Sequence, residues 1–220
     1  MKVAALAVAC LVVAGSAAAL KSHSGPSASA KAMAHQVTAP VAQLPAAAAD
    51  GRIFLTTGQQ RQAIASGTID RPVKSLLAVE APLRYGEYKW NDRGVPAGAT
   101  WVRIDLGTQL MSVFRAGHEI GTAVVVYGGD NKETPTGKLH ILGKARNHRS
   151  SLYDAEMPYT LRLTNDGVSI HGSSVRWGAA THGCIGVPLD FAERLFDAAR
   201  IGDEVVIVPV SDRSPGHRSS

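Results

Sequence analysis

The chain of 220 residues carries 23 lysines and arginines against 18 aspartates and glutamates, a formal net charge of +5. That excess is spread along the chain rather than gathered in blocks, which argues against a nucleic-acid partner and suits an anionic cell envelope. There are two cysteines, Cys10 and Cys184, too few for a disulfide framework.

Taken from the start, Met1-Lys2 gives a short positive end and Val3 to Ala14 is free of charge. Gly15-Ser16-Ala17-Ala18-Ala19 then offers the small residues that a signal peptidase accepts. Residues 1–19 read as a signal peptide for export to the periplasm or cell envelope. Their apolar run is too short for a permanent span, so no stable membrane span is expected after cleavage. Residues 20–50, rich in Ala, Ser and Pro without apolar periodicity, read as a disordered linker. Residues 51–99 read as an irregular lead-in, with a short helix from Gln59 to Ala65 and a strand from Leu76 to Val79.

The main domain, 100–210, is β in its grammar. Trp101 to Leu106 alternates apolar and polar residues as a half-buried strand does. Further strands are expected over 109–115, 119–127, 137–143, 159–163, 168–170 and 205–208, with Asp166-Gly167 turning one hairpin. Tyr127-Gly128-Gly129 reads as a flexible turn. Asp190 to Arg200 has helical spacing, with Phe191, Leu195, Phe196 and Ala199 on one face. Residues 211–220 read as a disordered tail.

Removal of the first segment takes Cys10 with it and leaves Cys184 as a lone thiol. It stands in Thr181-His182-Gly183-Cys184, with His171 thirteen residues upstream. A thiol near its ordinary pKa is mostly protonated at neutral pH and needs a base or a local field to become a nucleophile. His171 can serve as that base. The carbonyl of Gly172 can accept the other ring proton and set the tautomer, which is triad logic without an acidic side chain. Gly183 permits a tight turn whose backbone amides point one way and could hold an oxyanion.

His171-Gly172 followed by Thr181-His182-Gly183-Cys184-Ile185, with Thr134-Pro135-Thr136-Gly137 upstream, resembles the signature of the L,D-transpeptidase (YkuD-type) catalytic domain. The resemblance runs from about Trp101 to Val208. It implies a mostly β fold, sandwich- or barrel-like, with one or two short helices beside the active-site loop. By the same resemblance Cys184 is acylated, His171 is the base and Gly172 orients it. His182 and Thr181 shape the turn, and the amides of Gly183 and Cys184 hold the oxyanion. The implied substrate is a peptidoglycan tetrapeptide stem, cut between its third residue, a diamino acid, and the terminal D-alanine. The acyl group then passes to the amine of another stem, or to an envelope lipoprotein. Neither a metal nor an organic cofactor is implied.

Two departures from the family pattern are evident. Gly186 replaces the Arg or Asn usual two positions after the cysteine, and the span from His171 to Cys184 is short. Thr181, Arg176 and Trp177 are the candidates for substrate contact, Arg176 as a substitute for the missing polar side chain and Trp177 as a cleft wall. Other readings stay open. The same cysteine would serve an L,D-carboxypeptidase or a peptidoglycan amidase, and Gly186 favours a non-catalytic wall-binding module. A zinc site of His171, His182 and Cys184 lacks a compact fourth ligand.

Overall fold

The computed structural model describes residues 50–129, 132–150 and 154–210. The expected signal peptide, the linker up to residue 49 and the tail from 211 lie outside the described residues. In chain order the elements are β1 (Arg52–Phe54), α1 (Thr57–Ala65), β2 (Ser75–Leu77), β3 (Tyr88–Trp90), β4 (Thr100–Asp105), β5 (Leu110–Arg115), β6 (His118–Val124) and β7 (Gly137–His140). They continue with β8 (Gly143–Ala145), β9 (Arg149–Ser150), β10 (Ala155–Glu156), β11 (Thr160–Arg162), β12 (Ser169–Gly172), β13 (Ile185–Val187), α2 (Leu189–Ala198) and β14 (Glu204–Val208). The fold is mostly β, as the sequence implies. One sheet has the order β1-β2-β6-β5-β4-β14-β7, with β3 also on β6; a second has the order β13-β12-β11-β8; β9 and β10 form a separate pair.

Residues 51–99 are better ordered than their sequence suggests. β1 pairs with β2, β2 meets β6, and β3 runs antiparallel to β6. Runs of three residues carry no readable alternation, so their pairing is decided by the strands they meet. α1 begins before Gln59 because Thr56 caps it: the Gln59 amide donates to Thr56 Oγ1 at 3.3 Å, and the Thr56 amide donates back to Gln59 Oε1 at 2.9 Å.

This lead-in covers one face of the first sheet, so β4 is buried on both faces rather than one. Val102 and Ile104 enter the main core with Met111, Leu161, Ile170, Ile185 and the α2 residues Phe191 and Leu195. Trp101 points the other way, stacked on Phe114 at 4.3 Å in a cluster with Ile69 and Val73. Arg103 is buried as well and pairs with Asp105 at 3.1 Å.

Arg52, also buried, ties the lead-in to β6. Its Nη1 donates to the Glu119 carbonyl at 2.6 Å, and its Nη2 donates to the Asn91 carbonyl. The Glu119 side chain is buried and accepts from the Leu77 amide at 2.8 Å. Burial raises its pKa from 4.5 to about 7, against the pull of Ser112, the Leu77 amide and Arg52. A carboxyl that binds its proton more tightly when folded adds stability as pH falls through 7 towards 4.5, and loses it as pH rises. Wild type should therefore lose on the order of 3 kcal/mol more stability than Glu119→Gln between pH 4.5 and pH 7.5. Urea unfolding of both proteins at the two pH values checks this; parallel pH dependence would show that folding leaves the carboxyl's hold on its proton unchanged.

His171, Gly172 and the Thr181–Cys184 turn sit where the second sheet meets the first. β11 and β12 are antiparallel, joined through Gly167 at φ +97°, as the Asp-Gly pair leads one to expect. β12 and β13 are parallel. β13 is also held to the end of the β6 segment, where Val126 and Gly186 exchange both backbone hydrogen bonds, at 3.0 and 2.8 Å. α2 packs across β12 and β11 with Phe191, Ala192 and Leu195 buried.

Candidate active site

His171 stands opposite Gly186 in the β12–β13 register. Residues in register on neighbouring strands share a face, as do alternate residues along each strand. Cys184, immediately before β13 and two before Gly186, therefore takes the face of Ser169 and His171. β12 is expected from the sequence and β13 is not; their parallel pairing is what brings the two motif halves together.

His171 is buried, and its Nδ1 lies 3.0 Å from the carbonyl oxygen of Gly172. A carbonyl only accepts, so Nδ1 carries the proton and Nε2 keeps its lone pair. Burial pushes the imidazole below its ordinary 6.5, with His148 adding to the effect and the Gly172 carbonyl opposing it. Gly172 is itself packed closely: a Cβ there would lie 2.9 Å from Leu189 and 3.1 Å from Pro158.

Cys184 is half-buried, and its Sγ donates weakly to the Gly167 carbonyl at 3.9 Å. Burial pushes the thiol above its ordinary 9; the Ser169 backbone and Lys132 pull it down, while Asp166 pushes it up. Burial disfavours the ionised form of both groups, so thiol and imidazole rest as a neutral pair. Among the described residues no hydrogen bond joins Sγ to the His171 ring. Rotation about χ1 is the single torsion that moves the sulfur.

The turn before the cysteine is clamped from both sides. Gly183 has φ +95°, a conformation that favours glycine. The Thr134 hydroxyl, buried, accepts from the Gly128 amide at 2.9 Å and donates to the Gly183 carbonyl at 3.0 Å. Thr181 Oγ1 donates to the Cys184 carbonyl at 2.5 Å, and the Thr181 amide donates to the Tyr127 carbonyl at 3.0 Å. Gly128 is therefore no flexible turn. It is buried, and a Cβ there would sit 2.2 Å from the Lys132 carbonyl oxygen and 2.8 Å from the Gly183 Cα. Thr134 is the first residue of the Thr-Pro-x-Gly segment, and its contact with Gly183 gives that segment a physical task.

Gly186 has a packing reason too. A Cβ at this position would lie 2.8 Å from Val126 Cγ2 and 2.9 Å from Ser173 Cβ. A longer side chain would have to displace the side chains of Val126 and Ser173.

Cys184 opens on a cavity of about 270 Å³, whose walls include His182, Lys132, His148, Met157 and Asp166. Of the residues singled out from sequence, Cys184, His182, Thr181 and Gly183 share the turn, and His171 with Gly172 lies on the adjoining strand. Arg176 and Trp177 are not part of that wall. Both are exposed, and Trp177 rests edge-on against Tyr85 of the lead-in at 5.7 Å between ring centres. The short loop between the histidines turns outward there, towards the lead-in. Lys132, Asp166, His148 and Met157 carried no sequence signal, because they come from separate turns and a strand end. Among the described residues no three His, Cys, Asp or Glu side chains are grouped as metal ligands.

The family model of the L,D-transpeptidase catalytic domain (YkuD) matches residues 99–207. Among solved structures the chain is similar to L,D-transpeptidase 1 of Mycobacterium tuberculosis, with 26% identity, 50% of this chain and 62% of that chain covered, and a TM-score of 0.45. It is similar to an L,D-transpeptidase (Yku) from Stackebrandtia nassauensis, with 24% identity, coverage of 56% and 62%, and a TM-score of 0.47. It is also similar to the catalytic domain of the E. faecium L,D-transpeptidase, with 23% identity, coverage of 49% and 95%, and a TM-score of 0.42. The chain thus spans 62% of the length of each of the first two. No curated protein matches it.

Proposed function

We propose that the chain, whose residues 99–207 match the family model of the L,D-transpeptidase catalytic domain (YkuD), is an exported cysteine acyltransferase that cross-links peptidoglycan stems. The reading rests on one observation above all. The Nδ1 contact with the Gly172 carbonyl leaves a basic Nε2 on the sheet face that Cys184 shares.

In the proposed reaction the Cys184 proton passes to His171 Nε2 as sulfur attacks the carbonyl carbon of the stem's third residue. The amides of Gly183 and Cys184 stabilise the oxyanion. His171 returns the proton to the nitrogen of the departing D-alanine, and the C–N bond breaks to leave a thioester. An acceptor amine then loses a proton to His171, attacks the thioester carbon and expels the thiolate. Neither metal nor organic cofactor is needed for these steps. Export rests on residues 1–19, whose composition suits a signal peptide, and places the reaction in the periplasm. A stem peptide is the first acceptor, a lipoprotein amine the second.

Gly186 gives no support to an inactive wall-binding module, since its side-chain-free backbone is accounted for by Val126 and Ser173. Disaccharide-tetrapeptides incubated with the protein test the assignment. Cross-linked dimers and an acyl adduct on Cys184 are the expected products. Tripeptide alone would make the protein an L,D-carboxypeptidase, and absence of any adduct would remove the enzyme reading.

The neutral resting pair has its own consequence. Burial pushes the thiol up and the imidazole down, which disfavours a thiolate–imidazolium pair in the free protein. Iodoacetamide labelling of Cys184 should be slow at pH 6–7 and should climb only on the alkaline side. Fast, nearly pH-independent labelling below pH 7 would show an ion pair instead.

A further inference from the structure

Next to the thiol cavity lies a second cavity of about 320 Å³, and Lys132 and Asp166 stand in the walls of both. Their charged ends are 3.6 Å apart, and their side chains are 37% and 67% exposed. So loose and wet an ion pair contributes little to stability, and either charge can turn to a ligand at small cost.

The bases of both side chains are nonetheless well placed. The Lys132 amide donates to the Gly129 carbonyl at 3.1 Å, and its own carbonyl fills the space that a Cβ on Gly128 would need. Its Cγ runs over Gly183, 3.3 Å from where a Cβ would be. The Asp166 turn is closed by Thr164, whose hydroxyl donates to Asp166 Oδ1 at 2.5 Å and accepts from the Val168 amide at 3.0 Å. A rooted ammonium and a rooted carboxylate thus flank the sulfur on one side. Their spacing complements an α-ammonium next to an α-carboxylate, the two charges at the far end of a diamino dicarboxylic acid.

We infer that Lys132 and Asp166 are specificity-determining residues for the acceptor, Lys132 binding its side-chain carboxylate and Asp166 its ammonium. The acceptor class is then a stem whose third residue ends in a free amino acid head, in preference to one ending in a bare amine or a carboxamide. This rests on the transfer reaction proposed above. The carboxylate stays bound to Lys132 while the neighbouring ammonium releases one proton to solvent; the free amine then gives a second to His171 as it attacks the thioester on Cys184, and His171 returns that proton to the expelled thiolate.

The test offers the protein one tetrapeptide donor and two tripeptide acceptors, alike except that the distal carboxylate of the third residue is free in one and a carboxamide in the other. Taking the ratio of the two acceptors' kcat/KM cancels any effect of a substitution on acylation. Wild type should favour the free carboxylate about tenfold or more, the value of one charge-assisted hydrogen bond. Lys132→Gln should bring the ratio close to one, chiefly through the KM of the carboxylate acceptor, and Lys132→Arg should restore it. Equal use of both acceptors by wild type, or a ratio that survives Lys132→Gln, would overturn the inference. An acyl adduct that yields only tripeptide would do the same. A wild type that forms no adduct at all instead removes the enzymatic reading, so the two failures are distinguishable.

Discussion

Cys184→Ala is expected to form no acyl adduct and to lose at least about 10⁴-fold in turnover of a tetrapeptide stem. Every bond made in the proposed reaction passes through this sulfur, and the neighbouring serines cannot replace it. Ser169 begins β12 and Ser173 follows it, on the same face as His171, but a hydroxyl is far less acidic than a thiol and is the weaker nucleophile without its own activating base. The substitution should leave the fold intact, because the half-buried sulfur makes only weak contacts, such as that with the Gly167 carbonyl at 3.9 Å. A change in stability within about 1 kcal/mol is the outcome to look for. Intact-protein mass after incubation with donor, product chromatography and a thermal melt together check the prediction. Residual transfer above a few per cent would mean that another group is acylated.

Gly128→Ala, remote in sequence from the cysteine, should also remove most of the activity, by a different route. The added methyl would lie 2.2 Å from the Lys132 carbonyl oxygen and 2.8 and 2.9 Å from the Cα and N of Gly183. All of these are backbone atoms, so no flexible side chain can yield. Either the Lys132 turn or the Gly183 turn must shift by a sizeable fraction of an ångström. A misplacement of about 1 Å at the reacting groups costs on the order of 10²-fold in rate, and overpacking costs about 1–3 kcal/mol of stability. Gly129→Ala is the control, since its methyl would meet only the Ala180 side chain, at 3.2 Å, and a tenfold smaller loss is expected there. Donor acylation rates and melting temperatures of the two variants decide it. Full activity in Gly128→Ala would show that the turn does not set the oxyanion geometry.

Much of the fold was legible in advance. The alternation in Trp101 to Leu106, the Asp166-Gly167 turn and the apolar face of α2 all follow from local periodicity and turn chemistry. β8, β9, β10 and β13 escaped notice because two or three residues carry too little pattern. In the lead-in β1 and β3 escaped for the same reason, while α1 and β2 were expected in part; its cover over Trp101 and Phe114 is why β4 has no solvent face. At the site, the Cys184, His171 and Gly172 grouping could be argued from residue chemistry alone. Arg176 and Trp177 could not be placed that way: the loop that carries them turns towards Tyr85, and nothing local dictates that turn. Gly186 looked like a missing contact and is instead a close crossing with Val126.

What the amino-acid order determined by itself was the set of candidate groups: a thiol beside a glycine, an imidazole at a strand end, glycines where the backbone must bend or be approached closely. Those properties belong to individual residues and short spacings, so they survive without knowledge of the fold. Which charges face the sulfur was decided only when the two sheets joined at Val126 and Gly186. That junction draws Lys132, His148, Met157 and Asp166 around one cavity, and burial there, a property of the packed whole, sets how readily thiol and imidazole ionise.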